Sequence, residues 1–283
     1  MADLGRLPSV VFSDVDGTIL DNRHRVTART AQASRALAQA GVALVLVSAR
    51  MPEALAAIRQ ELGNTGPTIC YSGAYVLDSD GSELLSRPMA LEHALRLHDF
   101  VSRELPGVTC MAYGYHSWVV DSRLDPRVAR EEQIVGVESV EGTLEEHFSG
   151  RGLHKLLLVG EPKDIERAER EVGVAFPDLS AVRSSPILCE VMDGRASKTE
   201  GIRVVCDRLG VSISNVLAIG DGRNDIDMLR SVPRSWAMAN APREVRAAAS
   251  RVTAVDNEHD GFAETMISIL SSCNFSARKK ECC

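Results

Sequence analysis

No stretch of the chain approaches the ~20 consecutive apolar residues that carry a helix across a bilayer, the basic residues are outnumbered by acidic ones, and no two cysteines stand in C-x-x-C spacing. The first absence excludes a helical membrane span. The second leaves a formal net charge of -7, which excludes the electrostatic footprint of a nucleic-acid partner. The third removes the usual zinc and redox signatures, so the cysteines at 70, 110, 189, 206, 273, 282 and 283 read as buried reduced thiols and tail residues. Residues 1–8 lack the apolar segment of a secretory signal. The expectation is a soluble, cytoplasmic protein without a nucleic-acid or membrane partner. Cys282-Cys283 follow Arg278, Lys279 and Lys280, a setting that suits acyl anchoring, but no C-a-a-X ending is present and the segment reads as a frayed tail. Internal repeats and low-complexity tracts are also missing.

What is present is the composition of an ordinary globular protein, 45% hydrophobic and 25% charged over 283 residues, enough for one large α/β domain or a core with an insert. Apolar runs at Val10 to Phe12 and Val42 to Val47 flank a helical pattern that starts at Thr27 and stops at Gly41, a βαβ unit. Pro52 then suits the first turn of another helix. The last third repeats the style, with a helix from Ser197 to Leu209 stopped by Gly210, a strand Val216 to Ile219, a short helix after Asn224 and a strand near Trp236 to Ala239. Strands that are continuously apolar are covered on both faces, so the spacing predicts a doubly wound, mostly parallel sheet. The middle has its own helices and strands, and the expected division is a core of residues 1–84 and 189–283 with an inserted α+β domain over 85–188.

Three core strands end in oxygen-bearing residues: Ser13-Asp14-Val15-Asp16 after the first, Ser48 after the second, and Gly220-Asp221 after Val216 to Ile219. Carboxyl ends of parallel strands share the ligand-binding edge, so Asp14, Asp16, Ser48 and Asp221 should converge, and Gly17 lets the chain turn away. Two carboxylates ~4 Å apart repel by roughly 4 kcal/mol at an effective dielectric of ~20, and Asp225 adds a further charge. A hard divalent cation such as Mg²⁺, which takes carboxylates, water and phosphate oxygens, relieves the conflict. Ser197-Lys198-Thr199-Glu200 reads as a capping box. It places Lys198 at the positive end of a helix dipole, where an anion such as phosphate should compensate it.

At Asp14-Val15-Asp16-Gly17-Thr18, Ser48, Lys198 and Gly220-Asp221-Gly222-Arg223-Asn224-Asp225 the sequence resembles the haloacid dehalogenase-like (HAD) hydrolases, specifically the Cof-type phosphatases, which carry a Rossmann-like core and a large α/β cap. The motifs stand in the family's order and the resemblance covers nearly the whole chain. It implies that Asp14 is a nucleophile forming a phospho-aspartate, that Asp16 serves as acid and then base, and that Asp14, the carbonyl of Asp16, Asp221 and Asp225 surround Mg²⁺. It further implies that Ser48, Lys198, Asn224 and the N–H of Val15 hold the phosphoryl oxygens. Substrate contacts fall to Arg50 and to Ser72, Gly73 and Ala74, where Ser72 replaces the family's usual asparagine. Phe262 is bulkier than the family's aliphatic residue. His116, Trp118, His154 and Arg183 are further candidates.

The implied function is Mg²⁺-dependent hydrolysis of phosphate monoesters of small metabolites: sugar phosphates, pyridoxal phosphate, flavin precursors or nucleotide-like esters. A phosphomutase on the same core is the near alternative. From another class, a receiver-like phospho-acceptor or binding protein would share the aspartate cluster but leave the inserted domain unexplained.

Overall fold

The structure is a computed structural model and describes residues 6–281. Its strands are Val10–Ser13 (β1), Ala43–Val47 (β2), Thr68–Cys70 (β3), Tyr75–Leu77 (β4), Glu83–Ser86 (β5), Thr109–Gly114 (β6), Ser117–Val120 (β7), Val140–Glu141 (β8), Lys155–Val159 (β9), Leu179–Ser185 (β10), Leu188–Asp193 (β11), Val216–Gly220 (β12), Ser235–Ala237 (β13) and Arg251–Val252 (β14). An eight-stranded sheet has the order β14-β13-β12-β1-β2-β3-β4-β5, and a six-stranded sheet the order β10-β11-β9-β6-β7-β8. The helices are Ala28–Gln39 (α1), Pro52–Leu62 (α2), Leu91–Glu104 (α3), Pro126–Val135 (α4), Leu144–Phe148 (α5), Pro162–Ala175 (α6), Lys198–Leu209 (α7), Ile226–Ser231 (α8), Arg243–Ala248 (α9) and Gly261–Glu281 (α10). Among the described residues, no helix is long and apolar enough to cross a membrane.

The larger sheet is parallel from β14 to β3, and only β3, β4 and β5 run antiparallel to one another. Side chains alternate across it with the two-residue period of a strand. Val11, Leu44, Leu46 and Leu217 pack with Leu37 of α1, Leu55 of α2 and Met266 of α10, whereas Val10, Phe12, Val45 and Val216 pack with Val205 of α7, Leu229 of α8 and Val245 of α9. Both faces are covered, which is why these strands read as unbroken apolar runs. The chain lays β2 and β3 to one side of β1 and β12 to β14 to the other, so the topological switch lies between β1 and β12, where α/β sheets open a ligand crevice beyond the strand ends. Phe262 is fully buried in the first of these layers.

The smaller sheet follows the same alternation. Cys110, Ala112, Leu156, Leu158 and Val191 face outward against α3, α5 and α6, while Met111, Tyr113 and Leu157 face the larger unit. Residues 189–193, expected in the core, belong to β11 and pair with β9 and β10. An apolar strand carries no local mark of which sheet it will join, so this limit was not readable from the sequence. The strand expected to run to Ala239 ends at Ala237.

Local signals explain the helix ends. Thr27 accepts from Thr30 N–H at the start of α1, Pro52 opens α2, and Gly63 and Gly210 adopt left-handed conformations after α2 and α7. Only half of the expected capping box forms at α7. Ser197 accepts from Glu200 N–H, but the Glu200 carboxylate turns to Arg87 at the junction after β5. His154 sits at the same junction, stacked on Tyr71, accepting from Tyr115 N–H at 3.0 Å and reaching Ser86 Oγ at 3.0 Å. Burial pushes its pKa down to about 3, so it is a neutral packing residue. Cys70, Cys110, Cys189 and Cys206 are buried free thiols; Cys282 and Cys283 lie outside the described residues.

Candidate active site

The β1 pairing continues one residue past the strand, where Asp14 N–H donates to Ile219 O at 2.9 Å, and this fixes Asp14 at the mouth of the crevice. Lys198, the first residue of α7 and only 2% exposed, lies beneath it. Its ammonium donates to Asp14 Oδ1 at 2.5 Å and to Asp225 Oδ1 at 2.6 Å, with Val47 O at 3.4 Å. The compensating anion predicted for Lys198 is therefore a pair of the protein's own carboxylates, and the ammonium does not extend to solvent. Asp225, 0% exposed, uses its other oxygen to accept from Asp221 N–H at 2.9 Å and Gly222 N–H at 2.7 Å, closing the loop after β12. Thr18 Oγ1 and Asn240 Nδ2 donate to Asp221 at 2.9 and 3.2 Å, and Asn240 also holds Gly17 O at 2.9 Å. Gly17 has φ +75, and a Cβ there would lie 2.3 Å from Asp221 Oδ2, so only glycine permits this approach.

Asp14, Asp221 and Asp225 each offer a carboxylate oxygen within 4.8 Å of the others. One lysine among three carboxylates leaves excess negative charge in a buried place. Burial first, then Asp225 and Asp221, drive the Asp14 pKa well above its ordinary value against the opposing pull of Lys198. Burial and Asp225 push Asp221 up to about 7. Lys198 stays charged: burial lowers its pKa, but Asp14 and Asp225 raise it more. An all-oxygen, anionic donor set under this strain is what a hard divalent cation satisfies.

Asp16 is different from its neighbours. Although burial raises its pKa, Arg50 donates to it from Nε at 2.8 Å and Nη2 at 2.6 Å, His24 Nδ1 lies at 3.3 Å, and together they hold the carboxyl well below the usual range. In this conformation Asp16 is therefore ionised, because its carboxylate is paired with a guanidinium. Arg50, expected to touch substrate, is occupied by Asp16.

Ser48 follows β2 and is buried; its Oγ accepts from Arg50 N–H at 3.1 Å, and its carbonyl accepts from Ser72 N–H at 2.9 Å. Asp14, Asp16, Ser48, Arg50, Asp221 and Asn224 line one cavity of about 330 Å³ between the two sheets. Val15 is buried at the same loop, and its carbonyl accepts from Ile19 and Leu20. Ser72, Gly73 and Ala74 are not on the cavity wall. They form a tight loop behind Ser48 with positive φ at Tyr71, Ser72 and Gly73. A Cβ on Gly73 would lie 2.0 Å from Ser197 O, next to Lys198. Gly73→Ala is therefore expected to destabilise the fold by about 2–4 kcal/mol, read as a fall in the denaturant midpoint; a midpoint unchanged from the native protein contradicts this packing.

The remaining candidates turn away. His116 pairs with Glu53 at 2.5 Å, Trp118 stacks on Tyr113, His154 packs at the junction, and Arg183 lies 3.4 Å from Glu169. None of these four lines the cavity. The cavity roof instead comes from residues the sequence reading passed over: Tyr113, Arg130, Glu131, Lys155 and Glu190. A signal existed, because Lys155 and Glu190 are the charged interruptions of the otherwise apolar runs Lys155–Val159 and Leu188–Met192.

A family model for haloacid dehalogenase-like hydrolases matches residues 11–266. The chain belongs to the haloacid dehalogenase-like hydrolases. A relative from Haemophilus influenzae, which carries a provisional phosphatase name, is 31% identical over 261 residues, spanning 89% of this chain and 95% of its own. Among solved structures, a HAD-superfamily phosphatase from Bacteroides thetaiotaomicron is 26% identical with a TM-score of 0.77, covering 93% of this chain and 95% of that one. A Plasmodium vivax protein described as a HAD/COF-like hydrolase shares the fold with a TM-score of 0.83 at 20% identity, covering 94% of this chain and 95% of its own. This HAD hydrolase thus matches its relatives across both sheets, from β1 to α10.

Proposed function

We propose that this HAD hydrolase is a Mg²⁺-dependent phosphatase that takes phosphate monoesters of small metabolites through a phospho-aspartate on Asp14. The observation that carries the reading is the buried Asp14–Lys198–Asp225 group with Asp221 at the floor of a cavity sized for a small ester. The phosphatase names of its relatives support the reaction class.

Lys198 spends its charge on Asp14 Oδ1, which orients the carboxylate and leaves Oδ2 for attack on phosphorus. As that P–O bond forms, the ester P–O bond breaks, and the leaving oxygen takes a proton from Asp16. Asp16 then removes a proton from water, the water oxygen attacks phosphorus, and the Asp14–phosphorus bond breaks to release phosphate. Splitting one hard displacement into two is what a carboxylate nucleophile contributes. Ser48, Asn224 and the Val15 N–H would surround the phosphoryl oxygens and stabilise their spread charge, the main demand of phosphoryl transfer, with the Lys198 ammonium held beneath them on Asp14 and Asp225. Mg²⁺ would be held by Asp14, Asp221 and the Asp16 carbonyl, with Asp225 beside them, and would neutralise charge on the phosphoryl group. For Asp16 to act as an acid, a bound ester must loosen its pairing with Arg50; the pairing marks the resting conformation of the cleft.

Phosphate release from a panel of metabolite esters, in Mg²⁺ and again in excess chelator, tests the reading. Release that disappears in chelator and returns with Mg²⁺ is expected. Undiminished release in chelator, or transfer of the phosphoryl group to a second sugar position without free phosphate, counts against it.

A further inference from the structure

Outside the Asp14–Asp221 cluster, five charged side chains on the cavity wall act on one another: Asp16 and Arg50 from the larger sheet's loops, Glu131 on α4, Lys155 on β9 and Glu190 on β11. Three carboxylates thus share two cations. Arg130, a further cation of the wall, is exposed and forms an ion pair with none of them. Arg50 serves Asp16 through Nε and Nη2. Lys155 is drawn first to Glu190 and then to Glu131, and its ammonium donates to Ala49 O at 2.7 Å, one residue before Arg50. Glu131 lies in the field of both cations and holds neither. Among the described residues its carboxylate accepts no hydrogen bond and makes no ion pair at contact distance.

These charges have a second way to pair. Burial raises the Glu131 pKa against the pull of Lys155 and Arg50, so its carboxylate is short of positive charge in the resting cleft. Arg50 is the cation free to supply it. Lys155 is engaged with Glu190 and Ala49 O, whereas Arg50 has Nη1 unused by Asp16 and feels Glu131 next after Asp16 among the acids. The Asp16 side chain is 44% exposed and that of Arg50 8%, so Asp16 has water to replace a lost partner, and the guanidinium keeps a carboxylate in either position. Resting on the phosphatase reading above, we propose that Glu131 is a positioning residue: when an ester binds, Glu131 takes the Arg50 guanidinium from Asp16 and so releases the Asp16 side chain to the leaving oxygen. A bound ester favours this second pairing because it fills the cavity and strips water from Glu131, and a carboxylate that has lost its water needs a cation.

The test compares kcat/KM for p-nitrophenyl phosphate, whose leaving oxygen departs without a proton, and for phenyl phosphate, whose leaving oxygen needs one. In Glu131→Gln, Arg50 stays on Asp16, and the ratio of the first ester to the second is expected to rise by about 10-fold or more. In an Arg50→Met background nothing holds Asp16, and the same Glu131→Gln change is expected to move the ratio by less than about 3-fold. Glu131 makes no bond in the resting cleft, so the variant is expected to unfold at the native midpoint. A ratio unmoved by Glu131→Gln overturns the inference, as does a rise that persists in full without Arg50. So does a lowered midpoint with equal losses on both esters, which marks Glu131 as a structural prop. Absence of phosphate release from both esters in the unmodified protein is a separate failure, because it overturns the phosphatase reading and this inference with it.

Discussion

Asp14→Asn will lower turnover of every phosphate ester by about four orders of magnitude or more, and the metal-free variant will unfold at the same temperature as the native protein or higher. The first part follows from the loss of the attacking carboxylate in a change that keeps shape. The second follows from the charge balance of the site. Asp14 is buried beside Asp225 and Asp221, and these neighbours together with burial raise its pKa against Lys198, so at neutral pH its ionised form is a burden on the folded state. Asparagine removes that charge while Lys198 keeps Asp225 at 2.6 Å. Phosphate release and thermal unfolding measured on the same preparations check both parts. Turnover within about 100-fold of the native protein removes Asp14 from the nucleophile's role, and a large fall in the midpoint shows that the carboxylate was instead a structural partner of Lys198.

Mg²⁺ will stabilise the native protein, and by more at pH 7.5 than at pH 5. Asp221 has an ordinary value of 3.8 and is pushed up to about 7 in the fold; Asp14 is displaced in the same direction. Between those values the unfolded chain has released a proton that the folded chain retains. Stability contributed by such a group therefore falls as pH rises through the window, on the order of 1 kcal/mol per pH unit for each group. A cation bound to the ionised carboxylates removes this penalty and adds its own linkage, about 2.7 kcal/mol at 100 times its Kd. Urea midpoints with Mg²⁺ and with chelator at the two pH values give the comparison. Equal stabilisation at both, or none, contradicts a metal at this cluster.

The residues that carry strand-end chemistry were readable because one edge of a parallel sheet gathers them whatever the intervening chain does. Asp14, Ser48 and Asp221 each follow an apolar run by one or two residues, and the structure brings them to one cavity. Lys198 was placed by its helix start, but its partners were not, since only the packing of α7 beneath β1 aims the ammonium at Asp14 and Asp225. The Asp16–Arg50 pair was missed for a related reason: 34 positions separate the residues, and no periodicity links a turn to the loop after the next strand. Ser72 and Gly73 carry no sequence mark of their backbone role: their positive φ values and the close approach of Gly73 to Ser197 place them behind Ser48. Asn240, which joins Asp221 to Gly17, left no local trace. Lys155 and Glu190 left one, a charge inside an apolar strand, and its meaning depended on knowing which face of the smaller sheet looks down on the site.

A rapid acid quench during a single turnover tests the central claim most directly, with peptides of the quenched protein weighed for a phosphoryl adduct. In Mg²⁺ the account predicts an adduct that appears and decays within the turnover, is confined to the peptide containing Asp14, and is absent from Asp14→Asn and from chelator-treated protein. Release of phosphate with no adduct at Asp14, or an adduct on another residue, would contradict it.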